Sequence, residues 1–473
     1  MAKKITIIGA GPGGYIAAIR AAQLGAEVTV IEQDNVGGTC LNQGCIPSKI
    51  MKKTADMLNS FQRSAEFGII LNEQARLDLK QLMTRKENII QNQRKGILSL
   101  LKKHHIQYIR GYGEIKGEKH IIVKSEDGII QDVYWDSLIL ATGSHPLNIP
   151  AFPFDGKQIF SSNDALNIQE IPQSMVIVGG GVIGCEFAFI FASFGTKITV
   201  IEALPRILPL PSVDESCSAI IQREMKKRNI TFMTDHTVKD VEKNEKNLKI
   251  SISPSQFIQK EKAPLTIEAE KMLVCIGRSP NTSNIGLELL KIQKNSKGWI
   301  QVNEKMETNI PGVYAIGDVL GPSKIMLAHV ASREGLIAAE NAMGRNLTMK
   351  YENVPGVIFT MPEIANIGLT EIQAKEKGYP VRADSVLFRN IGKAHVIGEI
   401  AGEAKIVSDS ENGKILGIHI TGIHAGELIA EAGLVMQMGG TVNDLAETIH
   451  AHPTLSEIMT EVSLKATGKG IHG

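Results

Sequence analysis

Cys40 and Cys45 stand five positions apart in the run Gly37-Gly38-Thr39-Cys40-Leu41-Asn42-Gln43-Gly44-Cys45-Ile46-Pro47-Ser48-Lys49. Two thiols this close can store and release an electron pair by closing and opening a disulfide. A regular α-helix rises about 7.5 Å over five residues, whereas a disulfide holds its Cα atoms within about 7 Å. If the two cysteines pair, the segment is not an undistorted helix. Cys40 is then expected at or before a helix start, where the glycines permit the bend. So small a loop restrains little of the unfolded chain, which makes a structural staple badly placed and a redox-active pair well placed. The other reading is two ordinary reduced cysteines. A second candidate is His452, because an imidazole side chain is the usual base near neutral pH. Taken alone, a histidine before Pro-Thr is more often a satisfied turn residue, and His450 stands two positions before it. Cys185, Cys217 and Cys275 read as inert small hydrophobes.

The elements around these residues repeat one plan. Ile5-Thr6-Ile7-Ile8 reads as a strand and runs into Gly9-Ala10-Gly11-Pro12-Gly13-Gly14, an alanine-rich helix, and the strand Val28-Thr29-Val30-Ile31, which delivers Glu32. Met175-Val176-Ile177-Val178 runs into Gly179-Gly180-Gly181-Val182-Ile183-Gly184, an apolar helix, and the strand Ile198-Thr199-Val200-Ile201, which delivers Glu202. From first glycine to acid the distance is 32 − 9 = 23 and 202 − 179 = 23. A bare G-x-G-x-x-G is weak evidence, but a preceding strand, a following helix and a carboxylate about 20 residues on make it a dinucleotide fingerprint. The glycines let the backbone approach a pyrophosphate, and the helix N-terminus offers free N–H groups to it. Two such units imply two dinucleotides. Glu202 suits the free 2′-hydroxyl of NAD and repels the 2′-phosphate of NADP, with Arg206 a mild counter-argument. Strands ending at Thr142, Gly277 and Asp318 place those residues where open α/β sheets bind ligands.

The 473 residues exceed one hydrophobic core, so about three domains are expected. A net charge of +1 argues against nucleic acid as the main partner. No apolar run approaches a membrane span, no signal peptide is visible, and five cysteines do not make a secreted disulfide framework. The expectation is a cytoplasmic enzyme, with no membrane partner. Between Leu77 and Leu101 apolar residues recur at helical spacing with basic ones interleaved. This reads as a core-facing helix with a solvated basic side, the rival being a partner-facing helix.

The cysteine run, both fingerprints, Ala141-Thr142-Gly143, Gly317-Asp318 and His452-Pro453-Thr454-Leu455-Ser456-Glu457 together resemble the flavin-dependent pyridine nucleotide–disulfide oxidoreductases, essentially from end to end. The resemblance implies an α/β fold: two Rossmann-like dinucleotide-binding domains plus a C-terminal α+β dimerisation domain. The implied bounds are 1–145 with 275–345 for the FAD-binding and central domain, 146–274 for the NAD-binding domain, and 346–473 for dimerisation. It implies FAD on the first fingerprint, contacted by Gly9, Gly11, Gly14, Glu32, Gly38, Thr39, Gly113, Ala141, Thr142, Gly143, Ser144, Asp318 and Ala328. It implies NAD on the second, contacted by Gly179, Gly181, Gly184, Glu202, Val238 and Gly277. No metal is called for.

The catalytic set implied is Cys40 as the sulfur attacked, Cys45 as the sulfur nearer the flavin, His452 as base, Glu457 orienting it, and Lys49 paired with Glu186 beside the flavin ring. Ser48, Glu202 and the cysteine-free tail fit the members that oxidise protein-bound dihydrolipoyl groups with NAD. Rival readings are a glutathione- or mercuric reductase-like enzyme and a non-catalytic flavoprotein. The partners implied are a second copy of the chain, with His452 and Glu457 completing the other subunit's site, and a lipoyl-bearing acyltransferase or lipoyl carrier protein of a multienzyme complex. A monomer would then hold flavin but lack its base.

Overall fold

Residues 2–125, 127–257 and 265–473 are described by a computed structural model. Two five-stranded parallel sheets share the order of four strands and differ in the fifth, an edge strand taken from later in the chain in the first sheet and from earlier in the second. The first runs Val313–Ala315, Ser137–Leu140, Lys4–Ile8, Glu27–Glu32, Gln107–Arg110. The second runs Ile159–Phe160, Lys271–Val274, Ser174–Val178, Lys197–Ile201, Thr231–Met233. Parallel sheets are covered on both faces, which is why the central strands read as apolar runs rather than alternating. Lys4–Ile8 and Ser174–Val178 both bury their last four residues.

The fingerprint glycines explain the two tight turns. Gly9 and Gly179 have φ +103° and +104°, a region that disfavours side chains. A Cβ on Gly14 or on Gly184 would stand 1.9 Å from the carbonyl oxygen of Gly9 or Gly179. The helices Pro12–Gln23 and Val182–Ser193 can therefore start directly against their strands. The helix Ala328–Ala342 packs on Pro12–Gln23, where a Cβ on Gly335 would stand 2.4 Å from the Gly13 oxygen. That contact brings Ala328 to the first sheet's carboxyl edge.

The third sheet is antiparallel: Gly356–Ile358, Glu363–Gly368, Ile415–Gly422, Glu403–Asp409, Val381–Leu387. Helices Ala425–Gln437 and Glu457–Ala466 complete the α+β unit. All eight residues of Ile415–Gly422 are buried.

Two readings of the sequence change in detail. The helix Leu79–Lys103 forms and turns Leu82 and Ile90 inward, but its basic side is not wholly solvated. Lys86 is buried and donates to the Leu166 carbonyl at 2.6 Å and to Asn167 Oδ1 at 2.9 Å. Arg94 Nε donates to Asn42 Oδ1 at 2.6 Å. Cys40 does not precede all helix: it lies inside a short helix, Gly38–Gln43, entered through Gly37 and Gly38 at φ +91° and +54°. Gly44 breaks the helix there, and Cys45 opens the long helix Cys45–Gln62. Among the described residues no helix is long and apolar enough to cross a membrane.

Candidate active site

A cavity of about 550 Å³ opens at the carboxyl edge of the first sheet. Its wall carries Gly9, Gly11, Glu32, Gly38, Thr39, Cys40, Cys45, Gly113, Ala141, Thr142, Gly143, Ser144, Asp318 and Ala328. Residues from Gly9 to Ala328 thus meet in one space, because the first fingerprint, the cysteine segment and the edge strand all end on the same side of the sheet. Gly14 is not on the wall; it permits the turn that shapes it. Glu32 is buried and accepts from Ala10 N at 2.7 Å and Asp34 N at 2.9 Å. Burial raises its pKa although those backbone bonds oppose the rise.

Cys40 and Cys45 carry free thiols that interact with one another. The bond given by Cys40 lowers the Cys45 thiol to about 7, against burial and with help from the Lys49 ammonium. The same bond, with burial, pushes Cys40 well above its ordinary value. In the dithiol form the Lys49 ammonium favours negative charge on Cys45. Lys49 lies one turn beyond Cys45 on the same helix face, the i,i+4 relation. Its Nζ is 2.7 Å from Glu186 Oε2, and the other carboxylate oxygen accepts from Phe359 N at 3.0 Å. The ammonium also sits 4.3 Å from the centre of the Phe359 ring. Three segments, Cys45–Gln62, Val182–Ser193 and the end of Gly356–Ile358, meet on that ion pair.

A second cleft of about 160 Å³ lies at the carboxyl edge of the second sheet and is lined by Val182, Ile183, Cys275, Gly277 and Arg278 among others. Gly179, Gly181, Gly184 and Glu202 form the adjoining turn. Glu202 accepts from Gly180 N at 2.6 Å and Leu204 N at 2.9 Å, repeating the bonding of Glu32. The Val238 side chain is buried in the core behind the sheet. Arg206 donates to the carbonyls of Leu208, Leu210 and Val213, so its guanidinium is committed to local backbone. Burial pushes the thiols of Cys217 and Cys275 up to about 12 and raises Cys185 as well.

Arg278 was not legible as a site residue. It lines the second cleft, yet its Nε and Nη2 donate to Ser144 Oγ and Ser144 O at 2.6 and 2.7 Å. Ser144 Oγ in turn donates to Asp318 Oδ2 at 2.8 Å. One side chain thereby joins the walls of both spaces. Asn281 and Phe359 were missed too; Asn281 exchanges hydrogen bonds with Thr142 at 2.7 and 2.8 Å.

His452 and Glu457 are paired, Nδ1 to Oε1 at 2.8 Å, and Glu457 Oε2 also accepts from Thr454 N at 2.8 Å. Burial would raise the Glu457 carboxyl, but the bonds from His452 and Thr454 hold it below its ordinary value. The His452 side chain is 76% exposed and forms no part of the cavity wall that holds Cys40 and Cys45.

Residues 3–335 match the profile of pyridine nucleotide-disulphide oxidoreductases, and 354–463 that family's dimerisation domain, which supports a homodimer. The chain is 40% identical over 469 residues to a dihydrolipoyl dehydrogenase of Thermus scotoductus, covering 99% of this chain and 98% of that one. It is 41% identical over 477 residues to a dihydrolipoyl dehydrogenase of Bacillus subtilis, with the same coverage. Among solved structures, LpdA from Mycobacterium tuberculosis superposes with a TM-score of 0.89 at 26% identity, covering 98% of this chain and 99% of the other. The HOCl-induced flavoprotein disulfide reductase RclA from Escherichia coli, as its Cu(II) complex, gives 0.85 at 25% identity with the same coverage. With its duplicated nucleotide-binding sheets, its cysteine pair on the cavity wall and both profiles matched, the chain belongs to the pyridine nucleotide-disulphide oxidoreductase family.

Proposed function

We infer that the chain oxidises protein-bound dihydrolipoyl groups to lipoyl groups with NAD as acceptor. The observation that carries this reading is the Cys40–Cys45 pair on the wall of the same cavity as Gly11, Glu32 and Asp318, with the Lys49–Glu186 ion pair against it. Full-length relatives at about 40% identity bear the name of that activity.

The cavity fits FAD. A Cβ at Gly143 would meet nothing within 4 Å and one at Gly11 only Gly38 Cα at 3.8 Å, so bare backbone faces the space a pyrophosphate needs. Glu32 and Asp318 supply carboxylates for the hydroxyls of the cofactor's sugars. When bound, FAD carries an electron pair between the sulfur pair and NAD.

The chain's own residues do the rest. In the oxidised pair, a substrate thiolate attacks Cys40, and the S–S bond breaks with its electron pair going to Cys45. A thiol is a poor nucleophile, so a base must first take its proton. His452 has Nδ1 occupied by Glu457, which leaves Nε2 to accept that proton; the carboxylate stabilises the imidazolium. The second substrate thiolate then displaces Cys40 from the mixed disulfide, closing the lipoyl ring and leaving the dithiol. Two electrons and two protons have passed to the protein. The low pKa of Cys45 suits it as leaving group, and Lys49 holds the resulting charge.

His452 and Glu457 of each protomer serve the cavity of the other, consistent with their exposure away from their own sulfur pair. The domain bounds that suit this reading are 1–145 with 275–345 for FAD, 146–274 for NAD, and 346–473 for dimerisation. A lipoyl-bearing acyltransferase or carrier protein delivers the substrate, and the compartment is the cytoplasm. The test is Cys45→Ser: dihydrolipoamide-driven NADH formation should cease while the protein still retains flavin. Persisting turnover would overturn the reading.

A further inference from the structure

Two histidines two residues apart have opposite surroundings. His452 is 76% exposed at its side chain; His450 is 8% exposed. His450 Nε2 lies 2.8 Å from Glu431 Oε1 on the helix Ala425–Gln437. Its Nδ1 lies 2.6 Å from Thr460 Oγ1 on the helix Glu457–Ala466 and 3.1 Å from the Thr448 carbonyl. Both ring nitrogens are thus engaged, on three different segments. Among the described residues, the one side-chain bond of the His452 ring is to Glu457. Because that ring stands in the open, its position depends on the backbone of 451–454. That stretch is braced inside by Thr454 Oγ1 donating to the Ala451 carbonyl at 2.7 Å and, from behind, by His450.

We propose that His450 is a positioning residue for the dithiol half of the reaction: it ties the loop to both helices so that His452 keeps Glu457 on Nδ1 and presents Nε2. The charged or titratable groups facing His450 are Glu431, from the first helix, and Glu457, from the second. This rests on reading His452 as the base. A base displaced by about 1 Å loses on the order of tenfold to a hundredfold in rate. Transfer from NADH through the flavin to ferricyanide needs neither His452 nor its loop.

The experiment compares His450→Ala, His450→Gln and Glu431→Gln holoenzymes in both reactions. For His450→Ala, dihydrolipoamide oxidation should fall about tenfold or more while NADH–ferricyanide turnover stays within twofold of the unmodified protein. His450→Gln, which can still donate to Glu431, should recover part of the loss. Glu431→Gln should lower the same reaction by a smaller factor, and it decides the matter if His450→Ala does not fold. Equal losses in both reactions, or no loss in either, would overturn the proposal. An unmodified protein that turns over ferricyanide but not dihydrolipoamide would overturn the functional reading beneath it.

Discussion

At Cys45 a hydrogen bond, burial and one cation decide where charge resides. The Cys40 bond is the largest influence on the Cys45 thiol, burial opposes it, and the Lys49 ammonium assists. Removing a donor or a cation removes support for the thiolate, so both changes must raise the pKa. In Lys49→Met the pH midpoint of Cys45 alkylation should climb from about 7 toward the ordinary 9.0. In Cys40→Ala it should climb further, because the stronger influence is lost. Alkylation rates across pH 6–10 in the reduced protein check the order; a larger rise in Lys49→Met would contradict it. The cysteines, glycines and acids of the site were legible because chemistry fixes their types and spacings. Lys49 alone reads as a solvated helix residue, and its pairing with Glu186, 137 positions away, is invisible to spacing. Arg278, Lys86 and His450 escaped for one physical reason: burial of a polar side chain is decided by distant segments, here Ser144, Leu166 and Glu431.

The elements show the duplication most sharply. Gly14 and Gly184 stand equally close to the first-glycine carbonyls, so a methyl at either forces backbone apart at a local cost of about 1–3 kcal/mol. Gly184→Ala should raise the KM for NAD about tenfold or more while flavin absorbance per chain is unchanged. Gly14→Ala should instead yield protein depleted of flavin. The two readouts, taken side by side, assign one ligand to each sheet. Reading the sequence recovered both turns because glycine position and strand pattern are local. It did not recover the short helix around Cys40, since six residues carry too little periodicity to distinguish helix from loop.

The helix Ala328–Ala342 adds a pH effect of its own. Glu334 is 1% exposed, accepts from Gly317 N at 2.7 Å and from Tyr351 Oη at 2.6 Å, and burial raises it to about 7. A folded pKa above the unfolded 4.5 favours the folded state below pH 4.5, and that contribution is lost as pH rises through 7. The loss amounts to roughly 3 kcal/mol at most. Glu334→Gln cannot ionise, so its melting temperature should vary less than that of the unmodified protein between pH 4.5 and 7.5. Parallel curves for the two proteins would contradict the assignment.

On the scale of the whole molecule, the third sheet and its helices hold a histidine–carboxylate pair whose histidine is exposed and lies off the wall that carries the chain's own sulfurs. Under the proposed function, a closed two-fold assembly gives each protomer the same neighbour relation and every site draws on two chains. Each defect then damages a different site from the chain's own viewpoint: Cys45→Ser disables the cavity it belongs to, and His452→Gln disables the one across the axis. A hybrid of the two variants keeps one cavity with intact sulfurs served by an intact base. Co-expressed in equal amounts, two inactive proteins should restore about one quarter of normal dihydrolipoamide oxidation, since random pairing makes half the dimers hybrids with one working site each. Genetically, lesions at the two ends of this chain should complement one another.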